Sequence, residues 1–299
     1  MITPIALALL LAAPASDPER ALYDHARAVS EKSGTEYAAI ALEELARYDR
    51  IYPRGRYSDD VHYRMARMEA SRERHAAAAA RLLEVLIVDA GAERVPAARE
   101  ELERLLDGKR ALRGLKPRFD QALERYGEGP PDDARLRFLR ALLLVDDKGA
   151  FDVAAEEAAL LLERSPLPPE AAEVALALGS LERRRGEPRR AVVAFERVAI
   201  VDPASPLVPR AALEGGQVLE TALDDPAGAI AIYLRVARDH AESVVAATAW
   251  LRMGELERRK RRRPEIAIRD YDEVLVRYPE HPDAFDALVA KAETLAEAY

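Results

Sequence analysis

The stretch RRAVVAFERVAIVDP, residues 189–203, decides how this chain folds. It places a small, an aromatic and a β-branched residue at positions i, i+4 and i+7: Ala191, Phe195 and Val198. This spacing puts the three side chains on one face of a helix, and Pro203 follows where that helix must end. The stretch is therefore either a single core helix or one copy of a repeat.

The pattern recurs along the chain with boundaries 37 or 38 residues apart, near Pro53, Ala90, Glu128, Pro166, Pro203, Ala241 and Pro279. Residues 12, 8 and 5 positions before each boundary form columns of small, large and medium-sized apolar residues. These columns hold Ala41, Leu45 and Tyr48; Ala78, Leu82 and Val85; Ala154, Ala158 and Leu161; Ala191, Phe195 and Val198; Ala229, Tyr233 and Val236; and Ala267, Tyr271 and Val274. Six of the seven copies keep the stripe, so the chain is built from repeats.

The third copy, residues 91–128, is the exception. Its columns hold Lys116, Asp120 and Leu123. A continuous helix there would be destabilised by three further residues, Gly108, Gly114 and Pro117. We expect a distorted helix pair with a bend or hinge, and the alternative is a degenerate repeat that simply packs well.

Each period holds two helices, because about 37 residues are too many for one helix and a turn. The first helix of two copies carries a mid-helix glycine, Gly179 or Gly254. A glycine in this place costs about 1 kcal/mol relative to alanine, so we expect a neighbouring helix to approach closely there. A final helix, residues 283–299, carries Ala, Lys and Glu on its expected free side, which is typical of a terminal cap.

These residues resemble the tetratricopeptide repeat (TPR) family, whose pattern is W-x2-L-G-x2-Y followed by A-x3-F and a proline. The matching residues are Trp250, Met253, Gly254, Ala267, Tyr271 and Pro279, and again Leu178, Gly179, Gly186, Ala191, Phe195 and Pro203. The resemblance implies an all-α, right-handed solenoid of about seven helix-turn-helix repeats over residues 16–299, with the terminal cap. The chain departs from the family in its longer period and in Glu182 and Glu257, which replace the tyrosine of the first helix.

The N-terminus predicts export. Residues 5–13 form an uninterrupted apolar run, and Ala13-Pro14-Ala15 offers the small residues of a cleavage site. The run is too short for a permanent membrane span, and no Cys follows it to carry a lipid anchor. We expect residues 1–15 to be a cleaved signal peptide and the product to be periplasmic or secreted. A cytoplasmic protein remains the alternative, because no Lys or Arg precedes the apolar run.

Composition and motifs point away from several function classes. The net charge of −8 disfavours a nucleic-acid binder, and the absence of Cys excludes disulfides, thiolate zinc sites and a Cys nucleophile. Pairs of Asp occur at 59–60, 132–133, 146–147 and 224–225, where capping of helices or solvation in turns explains them. The five His residues lack the spacing of metal ligands, and His62 is interpreted as a packing residue. We therefore predict no catalytic constellation, no metal site and no cofactor.

The first helices are expected to form an inner surface, where the TPR resemblance implies that a partner segment binds. The candidate partner-binding residues are Tyr63, Arg67, Leu176, Arg183, Leu213, Leu251, Arg252 and Arg258. An apolar stripe surrounded by Arg suits an amphipathic helix or an apolar peptide. Part of this stripe is alternatively core between helices, and the sequence does not separate the two.

Two turns near the C-terminus are strongly basic. Their candidate anion-binding residues are Arg184, Arg185, Arg189, Arg259, Lys260, Arg261, Arg262 and Arg263. The acidic turn TALDDPAG, residues 221–228, lies between them, so one edge is expected to alternate in charge. This edge is either a weak docking site for anionic groups or a set of solvated loops partly paired with Glu and Asp.

Together these features predict a non-enzymatic protein-binding scaffold of the bacterial cell envelope, similar to exported TPR proteins that act as assembly adaptors. The alternatives are a structural protein that binds anionic lipid or glycan through its basic turns, and a cytoplasmic TPR regulator. The partner and the oligomeric state do not follow from the sequence.

Overall fold

The computed structural model describes residues 17–32 and 35–298, so the predicted signal peptide lies outside the described residues. Within the described part the chain is all α-helical, with fifteen α-helices, three short 3-10 turns and no strand. The predicted all-α fold of repeated helices is confirmed. None of these helices combines the length and the apolar character that crossing a membrane requires.

The chain divides into two compact units between Glu157 and Ala158, inside the eighth helix. The helices that begin in the first unit are α1 (Pro18–Ser30), α2 (Thr35–Ile51), α3 (Ser58–Ser71), α4 (His75–Val88), α5 (Val95–Gly108), α6 (Lys116–Tyr126), α7 (Ala134–Val145) and α8 (Phe151–Leu162). The 3-10 turns are Arg113–Leu115, Pro131–Asp133 and Lys148–Ala150.

The second unit continues the alternation of first and second helices. Its helices are α9 (Ala171–Arg185), α10 (Pro188–Val201), α11 (Val208–Thr221), α12 (Pro226–Asp239), α13 (Ala246–Arg259), α14 (Pro264–Arg277) and α15 (Asp283–Ala298). Each of them packs on the next. The second helices α10, α12 and α14 all begin with proline, which is well suited to the first helical position because its missing N–H would be unpaired there anyway.

The predicted apolar columns form the contact between the two helices of a pair. In the second unit all nine column residues of α10, α12 and α14 are buried. The glycines of the first helices lie against their aromatic members: a Cβ built on Gly179 would lie 2.5 Å from the ring of Phe195. Gly216 has the same relationship with Tyr233. The expected reason for a mid-helix glycine is confirmed.

The third pair is distorted, as expected, but it packs into the first unit. Both α5 and α6 contact α4, and α4 also contacts α7 of the following pair. The apolar stripe of α6 lies one residue earlier than the repeat predicts, because Phe119 and Ala122 are fully buried while Asp120 is exposed. Since residues 91–128 lie wholly inside one compact unit, the observation favours the alternative of a degenerate repeat that packs well.

The last helix, α15, differs from its prediction. It packs on α13 and α14 through Ala287, Ala290 and Thr294. The expectation for its free side is incomplete: Ala292, Glu293 and Glu297 are exposed as predicted, but Phe285 and Leu288 are exposed as well. The error arose because both faces of this helix carry apolar residues, so its periodicity does not say which face meets the neighbours.

Candidate functional site

A buried ionic network lies in the first unit, and we name it the His62 network. Its members are His62, Asp49, Glu84, Asp89, Arg135 and Glu157. They come from α2, α3, α4, α7, α8 and the residue that follows α4. All six side chains are buried, so their charges interact with one another rather than with water.

His62 occupies the centre of this network. Its Nδ1 lies 2.6 Å from Oδ2 of Asp89, and its Nε2 lies 3.0 Å from Oδ1 of Asp49. Oε1 of Glu84 lies 3.3 Å from the same Nε2. The interpretation of His62 as an apolar packing residue therefore needs correction: the ring is fully buried, but carboxylates surround it.

Arg135 closes the network from α7. Its guanidinium donates to Oδ1 of Asp49, and its Nη1 lies 2.9 Å from Oε2 of Glu157 and 3.3 Å from Oε1 of Glu84. This reach is possible because α4 packs directly against α7. Arg81 holds the other oxygen of Glu84 at 3.0 Å. A buried carboxylate without such partners would be strongly destabilising, so the two arginines stabilise the packing of these helices.

The network shifts the ionisation of its members. Burial by itself lowers the pKa of His62, but the carboxylates of Glu84, Asp89 and Asp49 outweigh burial and hold that pKa well above its ordinary value. Burial raises the pKa of Glu157 to about 7, against the opposing effect of Arg135. Burial also acts to raise the pKa of Asp49, but His62 and Arg135 hold it well below its ordinary value.

Asp49, His62 and Glu84 have the donor chemistry of a divalent metal site, and their ligand atoms lie within 4.8 Å of one another. However, the two carboxylate oxygens that face His62 also accept hydrogen bonds from Arg135. The guanidinium thus neutralises the same oxygens that a metal would need. We assign the His62 network a structural role: it ties five helices of the first unit together.

The predicted apolar stripe of the inner surface is core in the second unit. Leu176, Leu213 and Leu251 are all buried, on α9, α11 and α13. For these three residues the structure therefore supports the alternative that the stripe is core between helices. They stabilise the stacking of first helices, and they are not available to a partner in this arrangement.

Charged side chains, instead, face outward along the first helices of the second unit. Arg183 on α9 lies 3.4 Å from Glu214 on α11, and Arg252 on α13 lies 3.4 Å from Glu220 on α11. Arg252 also lies 3.5 Å from Glu255 on its own helix. We name these five residues the first-helix row. Arg183 and Arg252 remain about two-fifths exposed, so their guanidinium groups stay accessible to solvent.

The other candidate partner-binding residues lie elsewhere. Tyr63 donates a hydrogen bond to Glu101 at 2.6 Å, and Arg94 lies over its ring. Arg67 is exposed on α3, in the first unit. Arg258 is largely buried, and its Nη1 lies 2.9 Å from Oε2 of Glu293. The assignment of Arg258 to a partner surface is therefore wrong, because its side chain ties α13 to α15.

The basic turns are largely paired within the chain. Lys260 lies 2.8 Å from Asp224 in the preceding turn, so the predicted basic and acidic turns are neighbours. Arg261 pairs with Glu257 four residues before it, and Arg185 pairs with Glu182 three residues before it. Arg259 lies 3.7 Å from Glu255. The exposed residues Arg189, Arg262 and Arg263 complete the two turns, and Arg184 is exposed beside them. These contacts favour the reading of the turns as solvated loops.

Sequence reasoning did not find the His62 network. One signal was present: α4, HAAAAARLLEVLIV, is apolar almost all round and yet carries Arg81 and Glu84. Charged residues inside so apolar a helix must find buried partners. The partners themselves are distant in sequence: Arg135 follows Asp49 by 86 positions.

Neither a protein-family model nor a curated protein matches this chain.

Proposed function

We propose that the chain is a non-enzymatic protein-interaction scaffold of the bacterial cell envelope, built from TPR-like repeats, which binds a partner segment along its first helices. A stack of helix pairs presents a long surface, and such repeat proteins bind other proteins along it. Arg185, Arg259, Lys260 and Arg261 of the basic turns each pair with a nearby acid, which lowers the positive charge available for binding lipid or glycan.

The observation that carries the proposal is the first-helix row. It carries Arg183 on α9, two glutamates on α11 and Arg252 with Glu255 on α13, and the arginine of each inter-helix pair is partly exposed. The two arginines are about two-fifths exposed, so their guanidinium groups can bind acidic groups of a partner. A partner segment that carries both acidic and basic residues, rather than an apolar peptide, fits this row best.

Export belongs to the same proposal. It rests on the apolar run of residues 5–13 and on the small residues at 13 and 15. Intact-mass measurement of the protein from its native cells tests it. A mass that corresponds to cleavage after Ala15 supports an envelope protein, whereas an uncleaved N-terminus in the native cell assigns the scaffold to the cytoplasm.

Site-specific photo-crosslinking in living cells tests the binding surface. A photoreactive amino acid replaces Arg252 in the first-helix row, and in a matched control it replaces Glu196, which is exposed on the second helix α10. We expect one or two proteins to crosslink recurrently at position 252 and not at position 196. Equal capture at both positions, or capture of the chain alone, would contradict the proposal.

A further inference from the structure

The last helix occupies the place of a first helix. Small residues recur in the first helices at Gly179, Gly216 and Gly254, and the next step of 38 residues leads to Ala292 on α15. In the three earlier copies this position lies against the second helix that follows. Helix α15 therefore presents the face onto which a second helix of the repeat packs.

Residues at equivalent positions of α13 and α15 differ in how far they are buried. Trp250 on α13 is 8% exposed, whereas Leu288, 38 residues later, is 53% exposed. At the following position Leu251 is 8% exposed, whereas Val289, also 38 residues later, is 41% exposed. Helix α13 packs on α12, α14 and α15, and both Trp250 and Leu251 belong to the apolar core of the second unit. The equivalent residues of α15, Leu288 and Val289, are exposed because no further helix of the described chain covers them.

The open residues form one continuous apolar surface, which we name the α15 stripe. Its members are Phe285, Leu288, Val289, Ala292 and Leu295. Their spacing of three and four residues places them on one side of the helix over three turns. A contiguous exposed apolar surface of this kind is typical of sites that bind proteins or membranes.

We propose that the α15 stripe binds, in trans, an amphipathic helix of a partner protein that has the pattern of this chain's own second helices. This inference deepens the proposed scaffold function and rests on it, but it concerns a different surface from the first-helix row. The argument is continuity: the interface between first and second helices is repeated inside the chain, and α15 carries its first-helix half.

The small residue of the stripe sets the size of the partner's central side chain. A Cβ on Gly254 would lie 2.5 Å from the ring of Tyr271, so an aromatic ring requires glycine opposite it. Helix α3 has Ala66 at the equivalent place, and its second helix carries Leu82 instead of an aromatic residue. Since α15 has Ala292, the partner helix carries a leucine at the large position, with a small residue four before it and a β-branched residue three after it.

Charge beside the α15 stripe determines which flanking residues a partner helix should carry. Three exposed acids, Asp286, Glu293 and Glu297, lie at spacings of seven and four residues along one edge of the α15 stripe. Arg258 pairs with two of them, at 2.9 and 3.7 Å, so the edge keeps an excess of negative charge. A partner helix with basic residues on the matching flank is favoured.

A labelled peptide tests the inference with the full chain. The probe is the chain's own segment 187–203 with Phe195→Leu, which supplies Ala191, a leucine, Val198 and basic residues. We expect saturable binding by fluorescence anisotropy. A control peptide with Phe195→Asp should bind at least tenfold more weakly, because a charge replaces the central apolar contact.

Variants of the chain locate the binding surface. Leu288→Glu and Val289→Lys should each weaken binding at least tenfold, whereas Val193→Glu, at an exposed apolar residue of α10, should leave it unchanged. All three positions are exposed, so circular dichroism should show unaltered folding. Binding that ignores both α15 variants would overturn the inference, as would no saturable binding at all.

Two further outcomes separate the alternatives. A concentration-dependent increase in mass that Leu288→Glu abolishes would assign the α15 stripe to a second copy of this chain and overturn the partner helix. Crosslinking at Arg252 is independent of α15. If it succeeds while the peptide fails to bind, the scaffold stands and the α15 inference falls; if it fails while the peptide binds, the first-helix row is the wrong surface.

Discussion

Gly254 lies against the ring of Tyr271, so closely that a Cβ on the glycine would be 2.5 Å from Cε1 of the ring. The two residues belong to α13 and α14, the first and second helices of one pair. Both are buried, and the contact lets the helix backbones approach further than any other residue would permit. The repeat of this contact at Gly216 and Tyr233 makes it a building rule of the second unit.

Substitution of Gly254 by alanine should therefore destabilise the second unit. Overpacking of a rigid core costs about 1–3 kcal/mol, which exceeds the gain of about 1 kcal/mol in helix propensity. Urea unfolding followed by the fluorescence of Trp250, the single tryptophan, measures the change. Gly215→Ala is the matched control: its Cβ would lie 3.5 Å from Cβ of Phe195, an ordinary contact, so this variant should be neutral or more stable.

Replacement of Arg135 by methionine should destabilise the first unit by about 3–5 kcal/mol, because Asp49, Glu84 and Glu157 lose their shared cation in a buried site. Thermal unfolding by circular dichroism and hydrogen exchange in α2 and α4 measure the loss. The exposed pair of Arg54 and Asp132 provides the control, since Arg54→Met should cost less than about 1 kcal/mol. Equal effects of the two variants would contradict the structural role of the network.

Asp270 should make the second unit less stable as the pH rises. This carboxyl is buried, and Oδ2 accepts no hydrogen bond from the described residues. Burial and the nearby Glu257 raise its pKa from 3.8 to about 7. Between these values the folded chain holds a proton that the unfolded chain has released, so stability falls as the pH rises through this window and is flat above it.

Asp270→Asn removes the titrating carboxyl, so residue 270 no longer makes stability depend on pH. We expect the variant to be more stable than the original chain at pH 8 and to differ from it less at pH values near 4. Trp250 fluorescence in urea, measured across this range, gives the comparison. Glu265→Gln, at an exposed residue of the same helix, should not change the pH dependence. A variant with an unaltered pH slope would show that Asp270 stays ionised in the folded protein.

His62 should give the first unit a pH dependence of its own. Burial acts to lower its pKa, but Glu84, Asp89 and Asp49 outweigh burial and raise that pKa well above 6.5 in the folded chain. The stabilisation is fully present below the unfolded pKa and is lost as the pH rises through the folded one. His62→Gln should therefore destabilise α2 to α4 most at pH 6, as measured by hydrogen exchange. His25→Gln, at an exposed histidine, should have no such effect.

The columns of small, large and medium-sized residues were enough to predict the helix pairs, because a buried stripe must recur with the period of the helix. Two local details were beyond this reasoning. The stripe of α6 lies one residue earlier, at Phe119 and Ala122, because this helix packs on both α4 and α7. The exposed apolar residues of α15 were not predicted, because its two apolar faces look alike in sequence.

The candidate sites were harder to predict than the fold. Leu176 and Leu251 have the same spacing whether they face a partner or a neighbouring first helix, so only the packing shows that they are core. Arg258 has the sequence context of an exposed inner residue, yet α15 covers it and supplies Glu293. The periodicity identifies a helix face, but burial depends on which helix lies opposite.

The sequence by itself determined the repeat, the all-α fold and the close contact of glycine with its neighbouring helix, since these follow from interactions within one period of 37 or 38 residues. Only the tertiary structure decided where the charges meet. Asp49, His62 and Arg135 belong to different pairs and are brought together by the packing of α4 on α7. Contacts within one period can be predicted from the regular spacing of residue types in the sequence. Contacts between helices that are distant in sequence depend on how the helices pack, which residue spacing does not determine.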